Sequence, residues 1–199
     1  RKTAKLVQEH SVPGAIRDTV EIYTIDEHTL EMLAESNAPD TVKVFNLIKS
    51  IGALVEEKGK AVPYLFSIGE MAEEVARRFQ ERQITTQEAL EKLKNLIGNY
   101  LGWERERAEK RMAGEPYTVY WLLKEQGGKE HSLSLAQIEE TAARLASAFE
   151  HYPHWRKSEH QNRSLRVELY RTLREQGIKN MAPLVRQIMN IMGGRRNGG

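Results

Sequence analysis

The sequence predicts an all-α fold, an irregular multi-helix bundle of about eight helices with a short extended segment near the N-terminus. Apolar residues recur every three or four positions through most of the 199-residue chain, which is typical of helices that bury one face. Only residues 19–25 alternate between apolar and polar side chains as a strand does. No repeat of fixed period is present, so the pattern favours a bundle over a solenoid.

Two regions are expected. Residues 1–25 are predicted to be the tail of a preceding region and a linker, and residues 26–199 to be one helical domain. The chain does not begin with a methionine, so we expect it to be a fragment of a longer protein.

Breaks and capping patterns predict the helix boundaries in the first half of the chain. Asp26 is expected to cap the first helix, and Pro39 interrupts the chain before the second. Pro63 opens a third helix. The pattern Thr85-x-x-Glu88 predicts a capping box at the start of a fourth. Four helices therefore account for this half.

The second half is predicted in the same way. Pro116 precedes a compact apolar helix over residues 119–123, and residues 127–128, both glycine, predict a loop. Ser158-x-x-Gln161 is a second capping-box pattern. Further helices are expected over residues 138–149, 158–177 and 184–192.

Charge is unevenly distributed along the chain. The formal net charge is only +2. Residues 151–199, however, contain ten basic and three acidic residues, so this segment carries +7 and the rest of the chain −5. Such a segment suits a polyanion or an acidic protein surface, and a simply solvated helix face is the alternative.

The helix that follows Ser158 is the most informative element. Leu165, Leu169 and Leu173 share one side of a helical wheel, and arginines occupy the other. The candidate contacts with a partner or with DNA are Arg156, Lys157, Arg163, Arg166, Arg171 and Arg174. Guanidinium groups bind carboxylates and phosphates equally well, so spacing leaves both partners open. A second candidate surface is the charged stretch 104–111, expected to project into solvent or onto a partner.

Catalytic and cofactor motifs are absent. The chain has no cysteine, no P-loop and no H-E-x-x-H pattern, so we predict no catalytic residue, cofactor or metal site. Pro39-Asp40 with Glu56-Glu57-Lys58 matches the letters of a PD…ExK nuclease. We reject that match because one predicted helix holds Asp40 and Glu56 about 24 Å apart, too far to share a metal.

Three histidines and several large side chains receive structural interpretations. His151, His154 and His160 are expected to cap helices around a turn rather than to bind zinc. Tryptophans and methionines are expected to pack in the interior, namely Trp121, Trp155, Met181, Met189 and Met192. The longest apolar run is too short to cross a bilayer and no signal peptide opens the chain, so a cytoplasmic protein without a membrane partner is predicted.

Three stretches of the chain resemble the C-terminal helical region of the R subunits of type I restriction-modification enzymes. They are residues 35–47 (ESNAPDTVKVFNL), 117–125 (YTVYWLLKE) and 152–173 (YPHWRKSEHQNRSLRVELYRTL). The resemblance extends over nearly the whole chain in the same order.

The resemblance implies a non-catalytic assembly module. An R subunit of this family is a site-specific, ATP-dependent deoxyribonuclease that joins an endonuclease domain, two helicase-like motor domains and a C-terminal helical domain. It assembles on a core of methyltransferase and specificity subunits and pumps DNA towards it. ATP and Mg²⁺ then act in parts of the subunit outside this fragment. The implied partners are the methyltransferase and specificity subunits, with duplex DNA as the alternative.

Overall fold

A computed structural model of the chain describes residues 21–127 and 133–194. Within these ranges the chain forms eight α-helices, one short π-helix and no strand, which confirms the all-α prediction. Residues 21–25 form neither a helix nor a strand, so the extended segment expected there stays a prediction. The predicted tail over residues 1–20, the second glycine of the predicted loop at 128 and the last residues, 195–199, lie outside the described residues.

The described chain divides into two compact units. The first comprises residues 21–60 and 65–109, and the second comprises residues 61–64, 110–127 and 133–194. Helices of the first unit are α1 (Thr29–Glu35), α2 (Asp40–Lys58), α3 (Leu65–Gln80) and α4 (Thr86–Glu109). Those of the second are α5 (Gly114–Leu122), the π-helix (Leu123–Gly127), α6 (Leu135–His151), α7 (Glu159–Glu175) and α8 (Met181–Met192).

In the first unit, amphipathic helices pack face to face. Helices α2, α3 and α4 contact one another pairwise, and α1 contacts α4. Each contributes one stripe of buried side chains, and the residues with 1% exposure or less include Leu47, Ile51, Ile68, Leu93 and Ile97. This is the arrangement that a 3.6-residue apolar period predicts.

The starts of two helices test the capping predictions for this unit. At α4 the predicted box is present: the Thr85 amide donates to Glu88 Oε2 (2.7 Å), and the Glu88 amide donates to Thr85 Oγ1 (3.2 Å). Asp26 does not cap α1 directly. It accepts from the His28 amide (2.9 Å), so the chain makes one further turn before the helix begins at Thr29.

The second unit is organised around α5, which is buried along almost its whole length. Every residue from Tyr117 to Leu122 is at most 4% exposed to solvent. Helices α6 and α8 pack against α5, and α7 packs against both α6 and α8. The observed helix starts five residues before the predicted range 119–123, at the buried Gly114, and its first turn includes the exposed Glu115.

Close backbone approach explains the glycine at the start of α5. A Cβ atom on Gly114 would lie 1.9 Å from the carbonyl oxygen of Ala61, so no other residue fits. Thr118 Oγ1 donates to the Gly114 carbonyl (2.7 Å) and accepts from the Tyr64 amide (3.1 Å). The Tyr64 ring also lies against that of Tyr117, with centroids 5.6 Å apart. Residues 61–64 are thereby anchored to α5.

Most of the packing predictions for large side chains are confirmed. Trp121 and Trp155 are 4% and 6% exposed, and Met189 and Met192 are also buried, whereas Met181 is only half-buried. The methionines of α8 therefore fill the interior of the second unit. Among the described helices, none combines the length and the apolar character needed to cross a membrane.

Candidate functional site

Helix α7 has the predicted amphipathic character. Leu165, Leu169 and Leu173 are fully buried. The Ser158 hydroxyl accepts from the Gln161 amide (3.3 Å) at the start of the helix. The predicted capping box is only half formed, because the Gln161 side-chain oxygen accepts from the His154 amide (2.8 Å) instead of from Ser158. The helix is therefore held at its N-terminus by the turn that precedes it.

The two acidic residues in the C-terminal half of α7 interact with groups at α6. Glu175 accepts a hydrogen bond from the Arg144 guanidinium. Glu168 lies 3.6 Å from His151 Nδ1 and hydrogen-bonds with the Tyr152 hydroxyl, which raises the pKa of Tyr152 above its usual value. These carboxylates do not neutralise the opposite face of the helix.

That opposite face carries four of the six predicted contact residues. Arg163, Arg166, Arg171 and Arg174 are all exposed. Arg163 pairs with Glu159 at 3.7 Å, but both side chains are at least 80% exposed, and such pairs contribute little energy. Within the described part of the chain, Arg174 makes no side-chain hydrogen bond or ion pair. We call these four residues the α7 arginine face.

Arg156 and Lys157 lie in the turn before α7, where they line one cavity together with Arg163 of this face. Arg156 donates to the carbonyl oxygen of Met192, the last residue of α8, and its guanidinium carbon lies 4.6 Å from the centroid of the Trp155 ring. A cation at a helix C-terminus stabilises the exposed carbonyls there. Arg156 therefore has a structural contact of its own, whereas the Lys157 side chain is exposed.

An open cavity of about 350 Å³ lies beside this turn. Its lining combines basic side chains with an acidic one, so its charge is partly neutralised. The residues that line it are Trp155, Arg156, Lys157, Ser158, Glu159, Asn162 and Arg163.

Sequence reasoning missed one residue of the α7 surface. Val167 is 67% exposed and lies one helical turn from Arg163 on one side and from Arg171 on the other. Its signal was an apolar residue on the polar side of the helical wheel. The other exposed large apolar side chains of the described residues lie on four different elements, namely Ile22, Met32, Met71 and Leu135.

The charged stretch 104–111 lies at the surface, and several of its side chains are paired. Glu104 and Arg107 form a two-bond ion pair at 3.0 and 2.7 Å, and each side chain is only 27% exposed. Lys110 belongs to the second unit, where it pairs with Glu139. None of the eight residues is buried, as expected for a stretch that lies outside the core, and contact with a partner stays a prediction.

The rejected nuclease match and the histidine group also have definite positions. Asp40 is the first residue of α2 and Glu56 lies near its end, which puts them about 24 Å apart along the axis. His151 ends α6, His154 lies in the turn, and His160 is exposed on α7. Among the described residues, no group of three His, Cys, Asp or Glu side chains is arranged to hold a metal ion.

In comparisons with known proteins, no family model, no curated protein and no solved structure matches this chain.

Proposed function

We propose that this chain is a non-catalytic assembly module of a type I restriction-modification R subunit. It docks the ATP-driven DNA translocase and endonuclease onto the methyltransferase–specificity core in the cytoplasm. ATP and Mg²⁺ act in other parts of that subunit. The observation that carries the proposal is the α7 arginine face. Three of its four arginines lie within the longest of the three resembling stretches, residues 152–173, and Arg174 directly follows it.

The other two resembling stretches contain mainly residues that pack in the interior of the protein. Residues 117–125 form the buried helix α5 and the start of the π-helix, and residues 35–47 include the start of α2. The resemblance therefore combines residues needed for folding with one exposed surface. Exposed arginines that are not needed for folding are more informative about function than buried leucines.

The chemistry of the α7 arginine face fits a protein interface. A guanidinium group binds a carboxylate through two parallel hydrogen bonds, which gives geometric specificity as well as attraction. Arginine and tyrosine are enriched in interface centres, and Tyr170 is half-buried next to Arg171 and Arg174 on α7. The face thus offers directional polar contacts on a rigid helix.

Gel filtration with the cognate methyltransferase–specificity complex tests this function. We expect the chain to co-elute with the complex in the absence of DNA and at moderate salt. Elution of the two components as separate peaks under all conditions would overturn the proposal. The matched control is a chain in which all four arginines of the face are replaced by glutamine, which we expect to elute separately.

The charge distribution favours one second candidate, a duplex-DNA-contacting module. Residues 151–199 carry +7, and Arg163 and Arg174 are eleven positions apart on one helix, about 16 Å. If the four arginines contacted phosphates, the logarithm of the DNA affinity would fall with the logarithm of salt concentration with a slope of about −3.6. DNA binding that is independent of salt, or no DNA binding, would eliminate this candidate.

A further inference from the structure

We infer that the α7 arginine face, together with Val167, receives an acidic amphipathic helix of the methyltransferase–specificity core. This inference rests on the proposed docking function and names the chemistry of the partner. The helix would place an apolar side chain over Val167 and carboxylates about one turn to either side of it.

The spacing of the face matches a helical partner. Val167 is four positions after Arg163 and four before Arg171, and Arg174 lies seven positions after Val167. Residues four and seven positions apart lie along one side of a helix. A second helix packed along this side presents its own side chains with the same period, so carboxylates one turn from an apolar residue meet the two flanking arginines.

The position of the acidic residues indicates an acidic occupant. Glu168 interacts with His151 and Tyr152, and Glu175 interacts with Arg144. The negative charges of these two residues therefore do not neutralise the arginines of the face. Within the described ranges, the acidic residue that pairs with an arginine of the face is Glu159, and both side chains of that pair are at least 80% exposed. An incoming carboxylate can therefore bind these guanidinium groups at little cost in free energy, because the exposed ion pair that it replaces is weak.

Val167 distinguishes a protein from a nucleic acid. Its side chain is 67% exposed at the centre of the face, where contact with a phosphodiester backbone would leave it beside charged and polar atoms. An apolar side chain of a protein partner removes it from water, which is favourable. Interface centres are typically apolar with a charged rim, and this face has that arrangement.

Titration of the cognate methyltransferase–specificity complex with single variants of the chain tests the inference. Val167→Asp and Arg171→Glu should each weaken binding about tenfold or more, as expected for residues at an interface centre. Two matched controls lie elsewhere in the same unit: Leu135→Asp, at another exposed apolar residue, and Arg186→Glu, at another exposed arginine. Both should change the affinity less than about threefold, as expected for near-neutral positions.

The outcomes separate this inference from the function on which it rests. If the unaltered chain does not bind the complex, the docking function itself is wrong. If it binds but Val167→Asp behaves like Leu135→Asp, docking stands and the assignment of the acidic helix to this face is overturned. If a 20-base-pair duplex competes with the complex and only the arginine variant weakens binding, the face binds DNA instead. Circular dichroism of each variant verifies that α7 is intact.

Discussion

The first unit packs amphipathic helices face to face, whereas the second surrounds one helix, α5, in which every residue from Tyr117 to Leu122 is buried. In the first unit each helix buries a single stripe, and the charged residues remain accessible to solvent except for Lys43, which is buried on α2. In the second, α5 is enclosed by its neighbours and by residues 61–64, so close approach of main chains matters there. The two units should therefore tolerate different kinds of substitution. Stability measurements on matched variants of each unit test this difference.

Adding one methyl group to a glycine should have opposite effects in the two units. Gly114→Ala brings a Cβ to within 1.9 Å of the Ala61 carbonyl oxygen, so we expect it to lower the free energy of unfolding by about 3 kcal/mol or more. Gly98 lies inside α4 with no atom near its Cβ position. Gly98→Ala should stabilise the protein by about 0.5–1 kcal/mol, because alanine favours the helix.

Urea denaturation followed by circular dichroism measures both glycine variants. Equal effects of the two substitutions would show that the close approach at Gly114 does not distinguish the second unit.

Removal of one buried hydroxyl from each unit should lower the free energy of unfolding by different amounts. Ser50 Oγ accepts a hydrogen bond from the Tyr23 amide and donates one to the Asn46 carbonyl, both at 2.8 Å. Thr118 Oγ1 plays the same double role in the second unit, with the Tyr64 amide and the Gly114 carbonyl. Thr118→Val should cost about 2–3 kcal/mol, because the buried Tyr64 amide loses the hydrogen bond that it donates to the Thr118 hydroxyl. Ser50→Ala should cost only about 1 kcal/mol, since Tyr23 is partly exposed and water replaces the hydroxyl.

Thr118→Ser, which retains the hydroxyl, is the control for this pair and should recover most of the lost stability. Thermal unfolding of the three variants under one buffer condition makes the measurement. A smaller loss for Thr118→Val than for Ser50→Ala would contradict the proposed difference in water access.

Four of the described helices are followed within two residues by a residue in the left-handed conformation, which is glycine after α7 and α8 and arginine after α3 and α4. Gly177, after α7, has φ +75°, and the Ile178 amide donates to the Leu173 carbonyl (3.1 Å). Arg82, after α3, has φ +57° without being glycine. Gly177→Ala should therefore cost about 1 kcal/mol, and Arg82→Gly should stabilise by about 0.5–1 kcal/mol.

Chemical denaturation at neutral pH measures the two C-terminal variants. The interpretation fails if Arg82→Gly is destabilising, since its backbone conformation favours glycine and the side chain is exposed.

The smallest effect is expected at alkaline pH in the first unit. Burial raises the pKa of Tyr100 from 10 to about 12, with a further contribution from Glu104. The folded protein therefore disfavours the ionised phenol, and this contribution to stability is intact below pH 10 and is lost as pH rises towards 12. Tyr100→Phe should lose less stability than the unaltered protein between these values, measured by denaturation at several pH values. Identical pH profiles would contradict the assignment.

The apolar periodicity of the sequence predicted the helices of the first unit more completely than helix α5 of the second. In the first unit it identified α2, α3 and α4 and their buried stripes, because each helix has one apolar side. For α5 it gave only residues 119–123, since a helix buried on all sides has no period to detect. A capping box at Ser134 and Gln137 was also missed, although both residues were readable, and it starts α6.

The candidate site was predictable in part for a related reason. The four arginines and the leucines of α7 follow from one helical wheel. Arg156 was grouped with them by its charge, but its guanidinium contacts the Met192 carbonyl, thirty-six positions away in sequence. Val167 was not predicted, although the same helical wheel places it among the arginines on the exposed side.

The all-α class, the amphipathic helices and the basic character of α7 could be read from the amino-acid sequence, because these depend on local spacing and capping. Which charges remain available depends instead on the tertiary structure. It paired Glu175 with Arg144 and Lys110 with Glu139, both contacts between residues about thirty positions apart. Such pairs form when folded helices bring distant residues together, so no local pattern encodes them. The surface that can meet a partner is what these long-range contacts leave over.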